Sequence, residues 1–600
     1  MFLISFCGFG SLWADQNDAI PRFKYYENLN KTNFESFSRD VGKTLAVYRA
    51  FVERKYAAKP KKIEKEPAVI AYNFILKQLE DLSKVVTENA VTIPDTDRFH
   101  TLERLYYGIL ADTTNPAKPS LLKSSGKLAI NFLGGPFLLG VENVRDIDAP
   151  LSASAGEEAM KLYRRNGSGP VTSSEMRKMS ALEVSRLESH NTSALSGRAP
   201  GNNFADFEKE MVRLVRLQDK KLANFDLSYA RRVMYYDELK EDATSPKITA
   251  KDRYGNKWKL KWGDEIHCDL AMMRLYIDLG GRCADLKYYS GPGETILILE
   301  PPAHGKVKTY SDFASALLKS MFRFHVDRWL LPGKTLKSSS GEILGSGIVD
   351  REMAEKESID EKYIGSYYLL FKECQLSFYN PALKRLGGTA LGQAGALQSR
   401  IGRASMVFNC WIDNKDVKDD NSRIGLLYNS ETKAFDKPVE FLSDLGLTLG
   451  GFVVSGAVNF FMDKMIMYLP KSIHFKMNPL FLPRAWKSCT WADARWMALK
   501  ICALSRSDLE REFAESGWPT FIQRLAVEKL LSRRNELVDA FCLQEDGVKP
   551  IPCDPGFTLK NGGDTVVFRG VINPMSATVK KLQSEFHSEG LWFVIPRIFD

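Results

Sequence analysis

Apolar residues recur at helical spacing in three stretches of the first 225 residues. Residues 38–55 place Val41, Leu45, Tyr48 and Val52 on one face, and residues 67–85 do so with Val69, Tyr72, Leu76 and Leu79. Residues 206–222 repeat the pattern with Phe207, Met211, Leu214 and Leu222. A charged segment containing Pro60 separates the first two, and residues 110–125 and 185–204 read as loops.

The period changes near residue 246. Residues 246–262 predict two strands around a turn at Asp252–Asn256. Alternation in the second strand puts Lys257, Lys259 and Lys261 on one face and Trp258, Leu260 and Trp262 on the other. A helix follows over 264–279, with Leu270, Met273 and Ile277 on one face. The segment LKYYS-GPGE-TILILE predicts a hairpin turning at Gly291–Glu294. This order of elements predicts a small α+β lobe. From about residue 310 helices dominate, with a strand-rich interruption at 362–379 and a helical tail over 490–543. No repeat of solenoid length is visible.

Composition changes this picture little. Across 600 residues, 44% apolar and 26% charged residues exclude a chain disordered throughout, a collagen-like fibre and a disulfide-dense mini-protein. The net charge of +9 is mild, and no nucleic-acid partner is expected from it. Lys59, Lys61, Lys62 and Lys65 interleave with Glu64 and Glu66, which reads as a solvated linker. The nine cysteines include no CxxC, and no histidine forms HExxH, so a zinc enzyme is not expected. The cysteines read as small buried hydrophobes; Cys542 and Cys553 could bridge in an exported chain.

Residues 1–14 resemble the apolar part of a secretory signal with a cut after Ala14, although a basic start is missing. Export to a periplasmic or extracellular location is therefore favoured slightly over a cytoplasmic one. Residues 445–462 meet the length of a membrane span but carry four glycines and lie between Asp444 and Asp463, so no membrane span is expected.

Three segments carry candidate chemistry. After the apolar run Met406 to Ile412 comes Asp416-Val417-Lys418-Asp419-Asp420-Asn421. Phosphoryl transfer needs a carboxylate near the acceptor hydroxyl, a cation near the moving group and oxygen ligands for Mg²⁺. Asp416, Lys418 and Asn421 supply these from one loop, and a polar surface loop is the plainer alternative. Asp444-Leu445-Gly446 follows a predicted strand at 439–443 and suits a metal ligand at a cleft, or else a β-turn. The interval between Asn421 and Asp444 leaves room for a hairpin. Lys261 ends the strand of aligned lysines, with Glu265 and Asp269 one turn apart on the next helix and able to hold it.

In that order these residues resemble the protein-kinase-like superfamily, and within it the HipA-type serine/threonine kinases. DVKDDN is similar to their catalytic loop, and Asp444-Leu445-Gly446 to their Asp-Phe-Gly motif. Ser245-Pro246-Lys247 before the strand that ends in Lys261-Trp262 resembles the HipA phosphate loop. The resemblance covers about residues 228–545 and implies a two-lobed core: an N-lobe over 228–305 and a C-lobe over 306–545. A helical accessory region over 20–225 and an extension over 546–600 flank it. It implies ATP and Mg²⁺ as cofactors, Asp416 as catalytic base and Lys418 as a phosphate contact. Asn421 and Asp444 would be metal ligands. Ser245, Lys247, Lys261 and Glu265 would serve the nucleotide phosphates, with an adenine-contacting hinge near Glu300. A nucleotide and an unknown protein or small-molecule acceptor are the expected partners. No GxGxxG lid, His-Arg pair before Asp416 or later Ala-Pro-Glu is present. Two alternatives stand beside the kinase: a nucleotide-binding pseudokinase, and an exported envelope-associated structural protein.

Overall fold

The structure is a computed structural model of the chain. It describes residues 31–86, 137–142, 203–239, 247–263, 265–303, 305–318, 346–387, 400–417 and 421–449. It also describes 465–469, 472–477, 491–518, 520–541, 543–553, 558–561 and 564–567, with isolated positions within 98–109, 164–183 and 483–489. The expected signal at 1–14, the loop at 110–125, and most of the 445–462 stretch and of the extension from 546 lie outside these residues.

The chain is a mixed α and β protein. Helices α1 (Lys31–Lys55) and α2 (Pro67–Ser83) form an antiparallel pair joined by a short 3₁₀ turn that starts at Pro60. Strand β1 (Phe137–Glu142) follows, then α3 (Phe204–Gln218), capped by the Asn203 side chain, which accepts from the Asp206 N–H. After α4 (Leu227–Arg232) come β2 (Val233–Leu239), β3 (Lys247–Lys251) and β4 (Lys257–Lys261). The β3–β4 turn is closed by Asp252, whose carboxylate accepts from the Tyr254 and Asn256 amides and from the Trp258 indole.

Helix α5 (Glu265–Asp278) leads to β5 (Leu286–Ser290) and β6 (Ile296–Ile298). Next come α6 (Tyr310–Leu318), β7 (Ser346–Ile348), α7 (Arg351–Glu357), β8 (Tyr367–Leu370) and β9 (Cys374–Phe378). These strands build an eight-stranded sheet in the order β5-β9-β4-β3-β2-β6-β8-β7. All its pairs are antiparallel except β2–β6.

Two expectations change here. β5 and β6 are not a hairpin, because β5 pairs with β9 while β6 pairs with β2 and β8. The turn itself is real: Glu294 accepts from the Gly291 N–H at 2.8 Å, and Gly293 holds φ +69. Four strands separate β5 from β6, and at the usual ~4.8 Å spacing a flat sheet would hold them ~24 Å apart. A five-residue link spans at most ~20 Å. The sheet therefore curls, and the Ser290 and Thr295 hydroxyls meet at 2.8 Å. The strand-rich interruption at 362–379 is likewise part of this sheet, with β9 inserted between β4 and β5.

Beyond it, β10 (Leu383–Gly387), α8 (Arg400–Trp411), β11 (Ser422–Asn429) and β12 (Ala434–Leu442) follow, and β10-β11-β12 form a second antiparallel sheet. β13 (Ile466–Leu469) pairs with β14 (Ser472–Met477), which pairs on its other side with β1. The tail contains α9 (Trp491–Cys502), α10 (Arg506–Ala514) and α11 (Thr520–Ala540), as the periodicity predicts.

The main core joins α3, α5, the first sheet and the C-terminal helices. A second cluster unites α1, α2, Phe99, Leu102, Leu105, Tyr106 and Ile109 with Leu386, Ile424 and Leu426, so the first two helices are seated on the β10–β11 face. Arg533 and Arg534 of α11 are buried. Arg533 donates to the carbonyls of Cys410 and Trp411, the last residues of α8, where helix geometry leaves carbonyls without intrahelical partners. Cys268, Cys283, Cys374, Cys410, Cys489 and Cys502 are buried free thiols, and Cys553 is half-buried. Cys542 lies outside the described residues. Among the described residues no helix is long and apolar enough to cross a membrane.

Candidate functional site

Alternation along β4 sets up the site. Trp258, Leu260 and Trp262 enter the core fully buried, so Lys257, Lys259 and Lys261 share the opposite face. Each meets its own acid: Lys257 reaches Glu238 at 3.2 Å, Lys259 Asp285 at 3.0 Å and Lys261 Glu265 at 2.6 Å. Glu265 opens α5, a short turn after β4 ends. Lys261 also lies 3.9 Å from Asp444 Oδ1, although the two are far apart in sequence.

A second lysine fixes the segment around Asp444. Lys287 of β5 is buried and donates to both Asp269 carboxylate oxygens, at 2.6 and 2.7 Å, and to the Ser443 carbonyl at 2.9 Å. Asp269 also accepts from the Leu445 N–H and the Gln375 amide, each at 2.9 Å. Glu265 and Asp269 thus divide the work: the first holds Lys261 and the second ties α5, β5 and β9 to the Asp444 segment. Gly446 sits close against this pair: an added Cβ would come within 3.0 Å of Glu265 Cβ and 3.2 Å of Asp444 Oδ1.

The Asp416 and Asp444 segments run side by side. The Lys415 N–H donates to the Leu447 carbonyl at 2.9 Å, and the Leu449 N–H to the Ile412 carbonyl at 2.8 Å. Each strand of this ladder carries a left-handed residue, Asp413 at φ 49 and Leu449 at φ 54. Aspartate tolerates that region, whereas leucine is strained there by ~1–3 kcal/mol, a cost that clusters at functional sites. The hairpin β11–β12 joins the two segments as its spacing predicts. At its root the Ser443 N–H donates to the Asn421 carbonyl at 2.9 Å. The Asn421 amide in turn donates to the Asp416 carbonyl at 2.8 Å and to its carboxylate at 3.1 Å.

These contacts set the charge states. Burial works against a charged Lys261, but Asp444, Glu265 and Asp269 outweigh it and hold the ammonium well above its ordinary pKa. Burial likewise opposes a charged Asp444, and Lys261, Lys287, the Gly446 N–H and Lys247 overcome it, keeping the carboxyl well below the usual range. Lys247, opposite Lys261 in the β3–β4 register, is brought down to about 8 by burial and then by the Lys261 charge. Asp444 keeps 34% of its side-chain surface exposed against 7% for Lys261, so the carboxylate is the member that an outside cation can reach.

Of the residues singled out in the sequence, Lys261, Glu265 and Asp444 converge, and Asn421 and Asp416 join them through the hairpin root. Lys247 feels Lys261, Asp444 and Glu265. Ser245 and Lys418 lie outside the described residues. Glu300 does not join the group: its carboxylate accepts from the Lys306 and Val307 amides, both at 2.6 Å, and closes a local loop. The alternation rule does not identify Lys287, Gln375 or the Arg533 anchor. A lone lysine in a strand that is otherwise uncharged is the signal that Lys287 offers.

Carboxylate and amide oxygens are hard donors, of the kind that suits Mg²⁺ rather than a soft metal. Among the described residues no group of three His, Cys, Asp or Glu has metal-holding geometry. A separate open cavity of about 570 Å³ lies at α10–α11, lined by Arg506, Arg524, Glu528 and Cys553 among others. It shares no residue with the Lys261 cluster. No family model, no curated protein and no solved structure matches the chain.

Proposed function

We propose that the protein is an ATP- and Mg²⁺-dependent phosphotransferase built on a two-lobed, kinase-like core of the HipA type. The curled sheet with α5 would form one lobe and the helices with the β10–β12 sheet the other. The observation that carries this reading is the approach of Lys261 to Asp444, with Glu265 on the lysine and Asn421 linking the Asp444 hairpin to Asp416. Lysine on a strand, acid on the following helix, and two acid-bearing loops are the parts a phosphoryl-transfer site needs.

Mg²⁺-bound ATP would supply the transferable phosphoryl group and neutralise its charge. Lys261 would hold the phosphates, with Lys247 as a second cation. Asp444 and the Asn421 side chain would hold the metal. Asp416 would accept the proton of the acceptor hydroxyl, oriented by the Asn421 amide. Lys418 and Ser245 keep their expected roles as phosphate contacts. The acceptor is an alcohol on a protein or small molecule.

Incubation with γ-labelled ATP and Mg²⁺, with Asp416→Asn alongside, tests the proposal. Label transfer by the wild type and its loss in the variant are expected. Equal transfer by both removes Asp416 from its role. Nucleotide-dependent thermal stabilisation without transfer makes the protein a binding module.

A further inference from the structure

The tip of the α1–α2 pair has a composition that neither packing nor the phosphotransferase reading uses. The inner face of α1 is apolar and covered: Phe34, Phe37, Val41, Leu45 and Val52 are buried. Its outer face should then be polar along its length. Instead Ala46, Val47, Ala50 and Phe51 are exposed and follow one another at helical spacing, with Val47 75% and Phe51 36% exposed. The stripe continues through exposed Ala57 and Ala58 in the turn beyond the helix.

Cations crowd the same end. Arg54 and Lys55 occupy the last turn of α1, and Lys59, Lys61, Lys62 and Lys65 follow in and beside the 3₁₀ turn. Between Arg54 and Lys65 there are six basic residues and one acid, Glu64, whose carboxylate pairs with Arg49. Lys55 reaches Glu66 at 3.5 Å, while Lys59, Lys61 and Lys62 are exposed. A solvated linker explains the lysines but not the adjoining Val47 and Phe51.

We propose that this tip is a docking surface for an anionic lipid bilayer. An apolar stripe flanked by lysines, with its charge at one end, inserts at the headgroup boundary while the cations meet anionic headgroups. The exposed Val47 and Phe51 next to a run of cations match the apolar-plus-anionic chemistry of a headgroup boundary. The surface is far from the candidate phosphoryl-transfer residues in sequence and stands independently of that proposal.

Sedimentation of the full chain with phosphatidylcholine vesicles, with and without about one third phosphatidylglycerol, is the test. Binding to the anionic vesicles is expected, weakened by added salt. Neutralising Lys59, Lys61 and Lys62 together to Gln should weaken it about a hundredfold, at roughly fivefold per lysine. Phe51→Ser, on the exposed face, should weaken it by about tenfold. Circular dichroism melts of both variants check that the fold is retained. Equal binding to neutral vesicles, unchanged binding by the lysine variant, or binding to polyglutamate but to no vesicle would each overturn the proposal.

Discussion

The two faces of β4 obey the same alternation and carry opposite chemistry. On one, Trp258, Leu260 and Trp262 are fully buried among apolar side chains. On the other, three lysines each need a carboxylate, and those carboxylates come from β2, α5 and its neighbourhood, and the loop after β12. The apolar face is satisfied by any partner of suitable shape. The polar face is satisfied by particular atoms at particular distances. The first therefore reports on stability, and the second on how the curled sheet and the Asp416–Asp444 ladder are held in register.

The largest effects separate the faces. Trp258→Ala empties a fully buried site and removes one of the donors to Asp252, and should cost about 3–5 kcal/mol in urea unfolding. Lys287→Met leaves Asp269 without its buried cation and should cost a comparable amount, about 3–5 kcal/mol. Asp269→Asn in the same background should recover part of that loss, because a neutral amide needs no cation. Failure of that rescue would show that the pair does not act as a unit. Lys257→Ala, on the exposed end of the same face, should change stability by less than about 0.5 kcal/mol.

The pH dependence sharpens the comparison. Asp444 has a depressed folded-state pKa. Its contribution is present above the ordinary aspartate pKa and is lost as pH falls through the folded value. Lys247 is also depressed, to about 8, so the unfolded chain binds more protons between there and the ordinary lysine value. Stability should therefore rise as pH climbs through that window, and Lys247→Gln should abolish the rise. An anion placed beside Lys247 reverses the effect of burial. Calorimetry in buffers of different ionisation enthalpy should then show proton uptake when nucleotide binds near pH 8. Uptake unchanged in Lys247→Gln would separate the lysine from the nucleotide.

Local rules made much of this legible. The β3–β4 turn at Asp252–Asn256, α5 after it, the β11–β12 hairpin and the helical tail all follow from periodicity and turn chemistry within a few residues. The shared lysine face came from alternation alone. Long-range closure was not legible. The Gly-Pro-Gly turn at 291–293 looks like a hairpin because the turn signal is local, while the choice of β9 and β2 as partners depends on the curl of the whole sheet. Lys287 finds Asp269 across a strand connection, and Arg533 finds the end of α8 only after both helices have packed. Lys259 and Lys261 look alike in sequence; the different acids they meet distinguish them.

Hydrogen exchange of the full chain with and without ATP and Mg²⁺ tests the central claim most directly. Convergence on one bound nucleotide predicts added protection at residues 247–261, at 412–421 and at 443–449 together, and its loss in Asp444→Asn when Mg²⁺ is present. Protection confined to another part of the molecule, or equal protection in the variant, would contradict it.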